Sequence, residues 1–224
     1  MSKIIVFDID QTLLYTGGAG TKAMTRAFQE MFGIANGFAG VEFSGRTDVA
    51  ILRDAFYAHN IEDNFQAQVE RFKESYFRYL EKALPETEGR LMPGVEHILT
   101  DLDGRSDVLL GLATGNFRQS AEMKLQHYGI CDRFRGGAYA DDAEERTDIV
   151  RLAVQRLAVD ASDAPQALVV GDTPYDVASA RASGSIAVGV ATGDYSVDEL
   201  RRAGADIVFA DLSDWRGAIA RLVG

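Results

Sequence analysis

Five short apolar runs, rich in β-branched residues and each ending in a polar or glycine-containing cluster, constrain the fold of this chain more than any other feature. Ile4-Ile5-Val6-Phe7 stops at Asp8-Ile9-Asp10-Gln11-Thr12. Val108–Ala113 stops at Thr114-Gly115-Asn116, and residues 167–170 stop at Gly171-Asp172-Thr173-Pro174. Ile186–Val190 stops at Ala191-Thr192-Gly193, and residues 206–209 end near Asp211. Runs that are apolar at nearly every position, rather than at alternate ones, are the pattern of strands buried on both faces. Helical spacing fills the gaps between them. Residues 117–128 place Ala121, Lys124, Leu125 and Tyr128 on related faces. Residues 147–157 do the same with Ile149, Leu152, Ala153 and Leu157, and the alanine-rich 174–183 stops at Gly184. Strands alternating with helices predict an α/β protein with a Rossmann-like parallel sheet covered on both faces. A ligand site is then expected outside the carboxyl ends of the strands, where the polar clusters sit.

Residues 15–90 interrupt the alternation. Helices are predicted over 21–32, 48–59 and 66–84; in the last, Val69, Phe72, Tyr76, Tyr79, Leu80 and Ala83 recur every three or four residues. Gly17-Gly18-Ala19-Gly20 leads into this block and Met92-Pro93-Gly94 leads out. The organisation expected is a catalytic core of residues 1–14 and 91–224 with an inserted helical cap at 15–90, hinged at the glycine-rich stretch.

Composition narrows the functions. With 46% hydrophobic residues, the 224-residue chain can bury a sizeable core. A net charge of -11 without a Lys/Arg cluster argues against nucleic acid and anionic membranes as partners. No apolar run is long enough to span a bilayer and the N-terminus lacks the features of a signal peptide, so a cytoplasmic protein is expected. Cys131 is the only cysteine, which excludes an intrachain disulfide. His59, His97 and His127 lack metal-ligand spacing, and His59 and His127 are assigned to helix surfaces or boundaries. Oligomeric state is not legible.

Two carboxylates at positions i and i+2 of a strand end are costly unless a charge neutralises them. Asp8 and Asp10 therefore suit a hard cation such as Mg²⁺, which takes one or two carboxylates, water and substrate phosphate. Solvated loop aspartates or helix caps are the other reading. Asp172 stands where it could complete such a metal site. Pro174 suits a first helical turn, and Asp176 would lie in that turn, where a carboxylate also complements the helix dipole. Thr114-Gly115-Asn116 before a helix suits a phosphate cradle, or an ordinary N-cap.

The chain resembles the haloacid dehalogenase-like hydrolase superfamily, in its phosphoglycolate-phosphatase-like branch. The resemblance rests on Phe7-Asp8-Ile9-Asp10-Gln11-Thr12-Leu13, Ala113-Thr114-Gly115-Asn116 and Gly171-Asp172-Thr173-Pro174-Tyr175-Asp176, with a helical cap after the first motif. It implies a phosphatase that hydrolyses a small phosphorylated metabolite through an aspartyl-phosphate. Asp8 would be the nucleophile and Asp10 the acid and base; Thr114 would hold the transferring phosphoryl group. Mg²⁺ would be bound by Asp8, the main-chain carbonyl of Asp10 and Asp172, with Asp176 orienting Asp172 or a bound water. Gln11, Thr12, Gly115 and Asn116 would line the substrate site. Ser44-Gly45-Arg46-Thr47-Asp48 looks like the cap loop that reaches substrate; Arg46 would contact its distal group or pair with Asp48. A phosphomutase and a non-catalytic regulatory module are the alternatives. Two departures stand out. Gln11 replaces the family's usual glycine. Where the family expects a lysine near the nucleophile, Asp141-Asp142-Ala143-Glu144-Glu145-Arg146 has none. Arg146 is the candidate substitute, or else a surface partner of Glu144 or Glu145, and residues 141–145 read as a solvated loop.

Overall fold

The computed structural model describes residues 2–62, 64–159 and 165–224. The sheet consists of six parallel strands: β1 (Lys3–Phe7), β4 (Val108–Ala113), β5 (Gly137–Ala138), β6 (Gln166–Gly171), β7 (Ile186–Val190) and β8 (Ile207–Phe209), in the order β5-β4-β1-β6-β7-β8. β1 is central because every residue from Ile4 to Phe7 is apolar, so both faces can be covered. Its side chains alternate between faces. Ile5 and Phe7 enter one apolar layer with Ile98 and Leu102 of α4 (Val95–Asp103) and Ile219 of α9 (Trp215–Val223). Ile4 and Val6 enter the opposite layer with Ile149 and Ala153 of α6 (Arg146–Ala158) and Val177 of α7 (Pro174–Ala182). The α/β fold with a parallel sheet expected from the five apolar runs is the fold observed, with β5 as a sixth strand outside those runs.

Three helices stand between β1 and α4 in the chain: α1 (Ala19–Phe32), α2 (Asp48–Ala58) and α3 (Phe65–Ala83). They bury their own aromatic cluster. Phe28 packs against Phe32, Phe38 and Phe56 with ring centroids 4.8, 5.1 and 6.0 Å away, and Phe72 stacks on Tyr76 at 5.9 Å. Phe117, at the start of α5 (Arg118–His127), enters the same cluster from the sheet side. The two connections to this helical segment pair as a short antiparallel ribbon, β2 (Leu14–Tyr15) with β3 (Arg90–Leu91). One further short helix, α8 (Val197–Arg202), lies between β7 and β8.

β1 pairs with β4 on one side and β6 on the other. These strands are distant in sequence, so chain order switches direction at β1 and a crevice opens beyond the carboxyl ends. Asp8, Thr114 and Asp172 are the first residues past β1, β4 and β6.

Candidate active site

A cavity of about 230 Å³ lies over those strand ends, between the sheet and the helical segment. Asp8, Asp10, Gln11, Gly115, Asn116, Arg146 and Asp172 line it from the sheet side, and Arg46 and Asp48 from the other. Most of the residues singled out in the sequence thus meet around one space. Thr12, Thr114 and Asp176 stand just behind its wall.

Carboxylate oxygens of Asp8, Asp172 and Asp176 lie within 4.8 Å of one another, and all three residues are buried. Burial chiefly, then Asp176 and Asp8, pushes the Asp172 carboxyl up to about 8. Burial also raises Asp8 to about 6; Arg146 opposes the rise, while Asp176 and Asp10 add to it. Arg146 is 8% exposed and is not paired with Glu144 or Glu145. Its guanidinium lies 3.0 Å from Asp8 and donates to Asp176 from both Nε and Nη2. Burial alone would lower its pKa, but Asp176 and Asp8 outweigh that and hold it above the ordinary range. One cation among three buried carboxylates leaves negative charge uncompensated. Three clustered oxygen donors with that deficit fit a hard divalent cation of the Mg²⁺ type.

The local sequence explains each placement. Thr173 and Asp176 form a reciprocal capping box at the start of α7: Asp176 N–H donates to Thr173 Oγ1 at 3.3 Å, and Thr173 N–H to Asp176 Oδ2 at 3.0 Å. Asp176 therefore serves the helix terminus and Arg146 at once. Gly171 makes this possible, because a Cβ there would lie 2.1 Å from the Asp176 carboxyl carbon. The Thr12 hydroxyl faces Asp172, donating to Oδ1 at 3.1 Å, rather than the cavity. Gln11 adopts φ 60°, and its carbonyl accepts from the Thr192 hydroxyl at 2.6 Å. The backbone turn suits the glycine usual in the family, yet a side chain occupies it.

Thr114 is fully buried, and its hydroxyl accepts from Asn116 Nδ2 at 2.8 Å. Asn116 Nδ2 also donates to Asp10 Oδ2 at 2.8 Å. Lys124, on α5, donates to Asp10 Oδ2 at 2.7 Å and Oδ1 at 2.9 Å, and to Asn116 Oδ1 at 2.6 Å. Sequence reasoning placed Lys124 on the apolar helix face but gave it no role. A lysine among Ala121 and Leu125 on that face was the signal available.

Arg46 forms an ion pair with Asp54 at 2.8 Å, so the alternative pairing with Asp48 does not occur. The Asp48 carboxylate instead accepts from the Phe117 N–H at 2.8 Å, at the start of α5, while its own N–H donates to the Gly115 carbonyl at 2.7 Å. The Thr47 hydroxyl donates to the Glu144 carbonyl at 3.0 Å. Residues 141–145 are not simply solvated, as expected from their charge. Asp141 pairs with Lys73 at 2.8 Å, Asp142 with Arg156 at 2.7 Å and Glu144 with Arg53 at 2.6 Å.

Comparison with known proteins places this geometry in context. A family model described as haloacid dehalogenase-like hydrolase matches residues 5–190. The chain is 27% identical to a probable phosphatase IndB of Dickeya dadantii over 234 residues, covering 100% of this chain and 96% of that one. It is 28% identical to a phosphoglycolate phosphatase of Rhodospirillum rubrum over 226 residues, covering 97% and 92%. The crystal structure of a hydrolase from Pseudomonas syringae superposes with a TM-score of 0.74 at 22% identity, covering 100% of both chains, a likeness of fold.

Proposed function

The chain belongs to the haloacid dehalogenase-like hydrolase family, and from that premise we propose that it is a Mg²⁺-dependent phosphatase acting on a small phosphate monoester through an aspartyl-phosphate. Phosphatase relatives matched along nearly their whole length support the hydrolase class. One observation carries the finer reading: Asp8, at the end of the central strand, stands among Asp172, Asp176 and Arg146 at the floor of the cavity between the sheet and the helical segment.

In this proposal an Asp8 oxygen bonds to phosphorus and the ester oxygen leaves, taking a proton from Asp10. Water then attacks the phosphorus of the aspartyl-phosphate, giving its proton to Asp10, and inorganic phosphate and free Asp8 result. Arg146 is the fixed positive charge beside the nucleophile, in the role of the family's lysine. Unlike lysine it does not deprotonate at any working pH, and it presents its donors in a planar fork that can grip phosphate with two bonds. Asp8, the Asp10 main-chain carbonyl and Asp172 would hold Mg²⁺, which when bound offsets the repulsion between carboxylate and phosphate. Thr114, Gly115 and Asn116 form the phosphate-facing loop, Thr12 holds Asp172 in place, and Asp176 holds Arg146. Residues 15–90 act as the cap on a core of 1–14 and 91–224, presenting Arg46 to the distal part of the substrate.

The substrate proposed is phosphoglycolate or a sugar phosphate. The cavity size fits a molecule of that class, and one relative carries the name phosphoglycolate phosphatase. No helix among the described residues is long and apolar enough to cross a membrane. A cytoplasmic location, with no nucleic-acid or membrane partner, belongs to the same proposal. Asp8→Asn is expected to abolish phosphate release from a panel of phosphorylated metabolites while leaving the melting temperature near that of the parent. Chelation with EDTA is expected to stop turnover and added Mg²⁺ to restore it. Full turnover by Asp8→Asn would remove the assigned nucleophile, and undiminished rates in EDTA would remove the metal.

A further inference from the structure

The two buried cations of the site are divided between its two functional carboxylates. Arg146 is held by Asp8 and Asp176. Lys124 is 3% exposed, and its ammonium donates to both oxygens of Asp10 and to Asn116 Oδ1. An ammonium has three donors, so these contacts occupy all of them. In this arrangement Lys124 grips the side chain expected to move the proton, with no hydrogen left over for phosphate.

Burying a lysine so completely is costly, and a buried ion pair is weak support for stability as such. The Asp10 side chain, by contrast, is 41% exposed. An aspartate half open to water, beside the negative charge of Asp8, would swing toward solvent unless held. Lys124 spans both of its oxygens, and Asn116 adds a third bond and continues the chain to the Thr114 hydroxyl. Asp10 on the β1 loop and Asn116 on the β4 loop are thereby both held by one residue of α5.

We propose that Lys124 is a positioning residue: by gripping both carboxylate oxygens of Asp10 and the Asn116 amide, it places the acid–base group and the phosphate-facing loop as a unit. The inference rests on the acid–base role of Asp10 set out above. It assigns Lys124 to the proton-moving carboxylate, separately from Arg146, which serves the nucleophile.

The test uses the full chain with Mg²⁺ and p-nitrophenyl phosphate. The phenolate of this probe leaves without needing a proton, so the variants are read on water attack, which Asp10 serves as base. Lys124→Met is expected to lower kcat about 100-fold, with KM changed by less than about threefold. Lys124→Gln, which keeps a polar donor in the buried slot but is one atom shorter and uncharged, is measured beside it, with melting curves for both, and the same split is expected. In an Asp10→Asn background Lys124→Met is expected to lower kcat no further, because it acts through the side chain already altered. Lys124→Gln folded with kcat within about twofold of the parent would overturn the inference. So would losses that multiply in the double variant, which would put Lys124 on the substrate instead of behind Asp10. Full turnover by Asp10→Asn would be a different failure, removing the acid–base reading and the inference together.

Discussion

Asp48 is a carboxylate buried where the helical segment meets the sheet. Burial is the main reason its pKa rises to about 7; Lys124 and the Phe117 N–H oppose the rise, and Asp10 and Asp141 add to it. The unfolded chain releases this proton near the ordinary carboxylate pKa, so between about 4 and 7 the folded protein binds one proton more. Its contribution to stability is fully present below that window and is lost as pH rises through 7. Asp48→Asn keeps an oxygen for the Phe117 N–H and does not titrate. The melting temperature of the parent relative to Asp48→Asn is therefore expected to fall between pH 5.5 and pH 8, following a slope of at most about 1.4 kcal/mol per pH unit. Asp8 and Asp172 titrate in both proteins and cancel in the difference. A pH-independent difference would mean that Asp48 is ionised throughout. At this scale Asp8, Asp10 and Asp172 were legible in the sequence because Asp8 and Asp172 directly follow buried strands and Asp10 lies two residues beyond Asp8. The partners of Lys124, Asp48 and Arg46 were not, since each depends on which loop another element brings opposite.

The loop after β4 is docked against the loop before α2 with no space between their backbones. A Cβ on Gly115 would lie 2.4 Å from the Arg46 carbonyl oxygen and 2.9 Å from the Thr47 Cα. Neither atom can move without moving its chain. Gly115→Ala is expected to push the 44–48 loop off the cavity, at a cost of about 1–3 kcal/mol. Raised KM with a smaller change in kcat, measured on the best substrate of the metabolite panel, would mark lost docking; unchanged kinetics would mean the loop need not close. The elements themselves were mostly legible. Helices expected at 21–32, 48–59 and 66–84 are found at Ala19–Phe32, Asp48–Ala58 and Phe65–Ala83. In the glycine-rich stretch Gly17 and Gly18 have φ of 63° and 81°, which glycine adopts freely, while Ala19 and Gly20 already belong to α1. β2, β3 and β5 span two residues each, too few for any periodicity to register.

Across the whole molecule, the helical segment and the sheet are joined by two kinds of contact. Inside are the buried bonds of Thr47 and Asp48. Outside are the Arg53–Glu144 pair, with two bonds of 2.6 Å, and the Lys73–Asp141 pair. Arg53 and Glu144 are 52% and 36% exposed, so water and salt screen them. Arg53→Ala is expected to cost no more than about 1 kcal/mol in denaturant melts, and the loss is expected to shrink in high salt. A larger, salt-independent loss would mean the bidentate pair holds the two parts together. The sequence alone determined five of the six strands of the main sheet, most of the helices and the acidic clusters at the strand ends. Burial on both faces, helical spacing and turn chemistry are properties of contiguous segments, and short-range pattern records them. The tertiary structure decided which cation serves which carboxylate. Lys124 and Asp10 are 114 residues apart, and Thr12 and Asp172 are 160 apart. No local pattern spans such separations; the order of strands about β1 does.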